Sequence, residues 1–136
     1  MKIAINDRRK ISAIQNDFNE MFPYLRLEFF SKPHVTNGAS PKKYLTHPSK
    51  TLGECRTIHK SGSILITPGM TVAKLEQNFR EVYGLSVQVF RRSGKAWLET
   101  TVTDSWTLEE QNSQGEDLSK AKVTVAAIPD ENQFDL

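Results

Sequence analysis

Residues 64–83, ILITPGMTVAKLEQNFREVY, carry two periodicities in succession. Ile64 and Ile66 alternate with period 2, as a half-buried strand does. Val72, Leu75, Phe79 and Val82 then recur at spacings of 3, 4 and 3, which lines one face of a helix. Thr71 is placed to cap that helix, and Gly84 to end it in a left-handed conformation. Leu85, Val87 and Val89 resume the alternation, so residues 64–92 read as strand, helix, strand.

Moving back by 61 positions lays IAINDRRKISAIQNDFNEMF on the same pattern without a gap. Ile3 and Ile5 fall on Ile64 and Ile66, while Ile11, Ile14, Phe18 and Met21 fall on Val72, Leu75, Phe79 and Val82. Deleting one residue near Pro23-Tyr24 aligns LRLEFFSK with LSVQVFRR and matches Phe30 to Phe90. Asn6 or Asp7 is expected to cap the first helix, and Pro23 to end it. Residues 3–32 therefore form a second strand–helix–strand unit. Two units of this kind bury their apolar faces most simply as helices on one side of one sheet, an α+β domain spanning residues 1–128.

The flanks of the second unit add to it. Residues 51–60, then Ser61-Gly62, then SILITP read as a hairpin; SVQVFRR, Ser93-Gly94 and KAWLETTV read as another. TDSWTLEEQN follows as a short helix capped by Asp104 or Ser105, and AKVTVAAI, with Val123, Val125 and Ala127 alternating, as a last strand. This order over residues 51–128, with MTVAKLEQNF as central helix and VFRRSGKAWLE as hairpin, resembles β-grasp (ubiquitin-like) domains of the Phox-and-Bem type. The resemblance implies a mixed sheet with helices on one face, and a role in protein interaction. The acidic cluster those domains carry at the hairpin is replaced here by Arg91, Arg92 and Lys95, so that half of their pairing mechanism does not carry over. The paired units alone would instead suggest a ferredoxin-like βαββαβ fold. The stretch GLSVQVFRRSGKAWLETTVTDSWTLEEQN also resembles a family of small uncharacterised bacterial proteins, which implies a bacterial cytoplasmic setting and no mechanism.

Composition narrows the classes. The 136 residues suffice for a core without disulfides, and 38% hydrophobic with 25% charged residues is ordinary for a globular chain. A lone Cys55 fits a reducing compartment. The N-terminus lacks the apolar run of a signal peptide, and no stretch reaches the ~18 apolar residues of a membrane helix. The net charge of +2 is divided: residues 1–98 hold 16 basic against 7 acidic residues (+9), residues 99–136 hold 2 against 9 (−7). Residues 129–136 read as an acidic, frayed end. The basic, proline-bearing segment 32–51 reads as a long loop, with Tyr44-Leu45 able to pin it to the core.

No constellation here has the spacing of a catalytic, metal or cofactor site. Cys55 and His59, with His34 and His47 nearby, lack the paired spacing of zinc ligands, and on a strand they would stand ~13 Å apart. Nothing flanking Cys55 activates it as a nucleophile, so a small enzyme or ligand binder near Cys55 ranks last. Nucleic-acid binding through the basic hairpin 90–97, with Phe90 and Trp97 beside Arg91, Arg92 and Lys95, is an alternative. The leading expectation is a non-catalytic interaction module that binds a protein partner or a second copy. Its reason is Phe30 and Phe90: both fall on the sheet face opposite the helices, where water would normally lie. Phe90, Arg92 and Trp97 are expected as anchors, Arg91 and Lys95 as partners for carboxylates such as Glu109, Glu110, Glu116 or Asp117, and Trp106 as a further anchor.

Overall fold

A computed structural model describes residues 1–32 and 42–127 of the chain. The acidic end at 129–136 and part of the basic loop, His34 included, lie outside the described residues. The order is β1 (Lys2–Ile5), α1 (Ile11–Met21), β2 (Leu25–Phe30), 3₁₀ turns at Lys42–Tyr44 and Leu52–Cys55, β3 (Gly62–Leu65), α2 (Val72–Tyr83), β4 (Ser86–Ser93), β5 (Ala96–Glu99) and α3 (Leu108–Ala127). The class is α+β, as the two periodicities require.

The strands form two sheets rather than one. β1 pairs with β3, and β2–β4–β5 form the larger sheet. Every ladder among the described residues is antiparallel, so the expected mixed sheet does not form, nor does the single sheet of the ferredoxin-like alternative. Ile3 faces Ile64 and Glu28 faces Gln88, so each ladder is centred on positions that correspond in the two units. Ile3, Ile5, Ile64 and Ile66 from the ribbon join Leu25, Leu27, Phe29, Val87 and Val89 from the larger sheet in one core. The helices close it: Ile11, Ile14 and Phe18 of α1, and Val72, Leu75 and Phe79 of α2, are all fully buried. The Phe29 and Phe79 rings meet edge to face at 5.9 Å, the geometry their quadrupoles favour.

α1 ends at Met21, just before Pro23, as expected, but the N-terminal cap follows the expected chemistry only in α2. The Thr71 side chain accepts from Lys74 N, and Gly84 at φ 64° closes the C-terminus. In α1 the capping position is Lys10, without a side-chain bond, instead of Asn6 or Asp7. Its first N–H groups are taken by a returning arm of chain: Ile11 N donates to Lys50 O and Ser12 N to Pro48 O. α2 is bound the same way, Val72 N to Trp106 O and Ala73 N to Asp104 O.

Each arm ends in the same four-residue grammar, TLGE at 51–54 and TLEE at 107–110. Thr51 N donates to Glu54 Oε1, and Thr107 N to Glu110 Oε1, so both glutamates reach back to the residue that starts the turn. Leu52 and Leu108 are fully buried. This capping overrides the alternation at 51–60: residues 52–55 form a 3₁₀ turn, not the first strand of a hairpin. Thr107, not Asp104 or Ser105, begins α3, and the helix runs on to Ala127 through the positions expected to form a last strand. A capped start followed by Glu, Gln, Lys and Ala without proline favours continued helix over the short Val-Thr-Val alternation.

Candidate interaction surface

Backbone parity decides which side chains share the outer face of the larger sheet. Arg92 N donates to Tyr24 O on the β2 side, whereas Val89 N donates to Glu76 on the other side. Leu25, Leu27, Phe29, Val87 and Val89 lie in the core, and successive side chains alternate faces, so Arg91 shares the inner face while Arg26, Glu28, Phe30, Ser86, Gln88, Phe90 and Arg92 share the outer one. On β5 the outward pair is Trp97, opposite Arg92, and Glu99, opposite Phe90.

These residues enclose a cleft of about 400 Å³, with Phe30, Phe90, Leu45 and Trp97 as its apolar surfaces and Arg26, Glu28, Lys42 and Glu99 as its charged ones. Phe30 is only 4% exposed. Part of its cover is the chain itself: Leu45 bridges to Phe30, Thr46 N donates to Phe29 O and Ser31 N to Tyr44 O. Tyr44-Leu45 thus pins the loop, as expected.

The polar groups of the cleft are prearranged. Arg26 Nε lies 2.6 Å from Glu28 Oε2, and Gln15 Nε2 donates to Glu28 Oε1 at 3.0 Å, so the nearly buried Glu28 carboxylate is compensated on both oxygens. The Arg26 and Arg92 guanidinium carbons lie 5.7 and 5.8 Å from the centroid of the Trp97 ring, within cation–π range. A recess of about 180 Å³ continues past Trp97 to Gln15, Asn16 and Asn19 of α1.

Of the residues singled out in the sequence, Phe30, Phe90, Arg92 and Trp97 come together here. Arg91 and Trp106 do not: they lie on the inner side, where Arg91 Nη1 donates to Gln111 Oε1 and its guanidinium lies 5.7 Å from the Trp106 ring centroid. Lys95 sits in the turn, exposed, without an ion pair among the described residues. Arg26 and Glu28 were missed, although the alternation of LRLEFF places both on the face of Phe30. Leu45, Lys42 and Gln15 join through the fold, and no local pattern announces them.

A second polar cluster lies just past the end of the first arm. The fully buried Arg56 side chain donates from Nε and Nη2 to Asp7 Oδ1, and from Nη1 to Tyr83 O, while His59 Nδ1 lies 2.8 Å from Asp7 Oδ2. The Arg56 hydrogen bonds, followed by those of His59, hold the Asp7 carboxyl below its ordinary value. Cys55 donates its thiol to Thr51 O, and burial pushes that thiol up, away from the nucleophilic thiolate. Among the described residues no three His, Cys, Asp or Glu side chains are grouped to hold a metal ion, and no helix is long and apolar enough to cross a membrane. No protein-family model matches the chain, and no curated protein or solved structure matches it.

Proposed function

We propose that the protein is a non-catalytic protein-interaction module whose contact surface is the outer face of the β2–β4–β5 sheet. The observation that carries this reading is the cleft: apolar anchor positions at Phe90 and Trp97 within a charged rim, the anatomy of a protein-binding patch. The Arg26–Glu28–Gln15 network supports it, because it fixes the rim before a partner arrives. A bacterial cytoplasmic setting belongs to the same proposal and rests on the single cysteine and the resemblance over residues 84–112. Nucleic acid is the weaker reading. Two guanidinium groups already lie at the Trp97 ring on which a base would stack, and Glu28 and Glu99 bring carboxylates into the same cleft.

Photocrosslinking tests the proposal. A benzophenone amino acid at Phe90 should give discrete protein adducts in the cells that express the chain, and the same group at exposed Lys74 on α2 should not. Equal adducts from both positions, or adducts at position 90 with nucleic acid alone, would refute it.

A further inference from the structure

We propose that this surface is extended by a second copy of the chain, joined by antiparallel pairing of β5 with the partner's β5 about a two-fold axis at Trp97. The pairing uses the β5 edge rather than the cleft, so it stands or falls separately from the outer-face reading.

The first observation is that β5 is the open edge. Along the outer edge of β2, the carbonyls of Leu25, Leu27 and Phe29 accept from Asn19, Gln15 and Thr46. In the two-stranded ribbon, Ala4 O accepts from Arg9 and Ser63 O from the Tyr83 hydroxyl. β5 has no such guard among the described residues. Ser93 faces Ala96 across the two-residue turn Gly94-Lys95, so Ala96 and Leu98 spend their backbone groups on β4. The N–H and C=O of Trp97 and Glu99 point away from the sheet, with no partner among the described residues. An edge of this kind is a template for another strand, and natural edges are normally blunted. Here the edge is apolar instead: Trp97 is half-buried, and Leu98 is 43% exposed.

The second observation is self-complementarity. Only outward-pointing residues can exchange hydrogen bonds, so Trp97 must face the partner's Trp97 or Glu99 and never its Leu98. Centring the pair on Trp97 sets Lys95 opposite the partner's Glu99 at both ends and Ala96 opposite the partner's Leu98. Neither Lys95 nor Glu99 has an ion pair among the described residues, and this register gives both one. Facing Trp97 with the partner's Glu99 instead would leave Lys95 unmatched. A two-fold axis makes every such contact occur twice. The two outer faces then join into one sheet, with a cleft on either side of the axis. A strand of four residues buries little area, so the dimer is a weak one, dissociating at high-micromolar to millimolar concentration.

Sedimentation of the full chain from about 10 μM to about 1 mM spans that range. Wild type should show a monomer–dimer equilibrium. Lys95→Glu and Glu99→Lys should each weaken it about tenfold or more, and the Lys95→Glu/Glu99→Lys double variant should return to within about threefold of wild type. Both positions are exposed, and circular dichroism checks that each variant is folded. A wild type that stays monomeric throughout, single variants that associate as wild type does, or a double variant that fails to recover would each overturn the pairing. If wild type is monomeric while Phe90 crosslinks to another protein, the outer-face reading stands and only the self-pairing falls. If charge-dependent dimers form and Phe90 gives no adduct, the β5 pairing stands and the outer-face reading falls.

Discussion

Replacing Leu52 or Leu108 by alanine tests whether the two arms are structural plugs or surface decoration. Each leucine is 0% exposed, follows the threonine of its TLxE turn and enters the same core as the helices. Its arm also binds the first N–H groups of a helix, so a cavity under the leucine loosens that end as well. Truncating a fully buried leucine costs about 2–5 kcal/mol, transfer and cavity terms together. With an unfolding entropy of about 0.25 kcal/mol/K for a domain of this size, a loss of 3 kcal/mol lowers Tm by about 12 °C. Because the backbone hydrogen bonds that tie the two arms to their helices correspond, the two variants should agree within about 1 kcal/mol, a tighter match than the spread usual for unrelated buried leucines. Leu65→Ala, at a leucine 54% exposed on β3, should stay within about 0.5 kcal/mol of wild type. Urea titration followed by circular dichroism, with thermal melts beside it, measures all three. If either arm variant loses less than about 1 kcal/mol, or no more than Leu65→Ala, the reasoning fails.

The Asp7 carboxyl is held low in the folded chain by Arg56 first and His59 after it. A carboxylate depressed in this way contributes stability above its ordinary value of 3.8, and that contribution is lost as pH falls through the folded value. Asp7→Asn should therefore be less stable than wild type at neutral pH, with the gap narrowing below pH 3.8; urea midpoints that keep a constant gap into acid would contradict this. The Cys55 thiol is raised by burial, then by Glu54, and donates to Thr51 O. Iodoacetamide should accordingly alkylate it much more slowly in the folded protein than in urea at the same pH, and equal rates would show that the thiol is not held as described.

What was legible in the sequence is what depends on neighbours in the chain. The apolar faces of α1 and α2, the Thr71 cap and the Gly84 terminus follow from spacings of three and four and from one left-handed residue. Phe30 and Phe90 revealed a second sheet face by parity alone, and that parity, applied to Arg26 and Glu28, would have supplied the charged rim too. Arg91 illustrates the same rule in reverse: adjacent to Arg92, it must point to the other side, where Gln111 holds it. The misread segments are those where a capped turn competes with alternation. At 51–54 and 107–110 a threonine and a glutamate three residues on outweigh the strand pattern that follows. The Asp7–Arg56 contact spans 49 residues, and the arms bind the starts of α1 and α2 through backbone atoms 31 or more positions away. No local pattern encodes partners of that kind.

The pairing of Ile3 with Ile64, and of Leu27 with Val89, also bears on how fast the chain can fold. Each ladder joins positions about sixty apart, so no sheet but the β4–β5 hairpin can form early from local contacts. Closing a loop of that length costs about 3–4 kcal/mol of chain entropy before any compensating burial. Once one ladder has formed, the shorter connections that remain are spanned largely by α1 and α2, so the second ladder closes at a lower cost. Both long-range ladders should therefore appear in a single step. The helices can flicker in advance, but the commitment to fold waits on one rare encounter between the two halves, and the high contact order makes this a slow folder for its size.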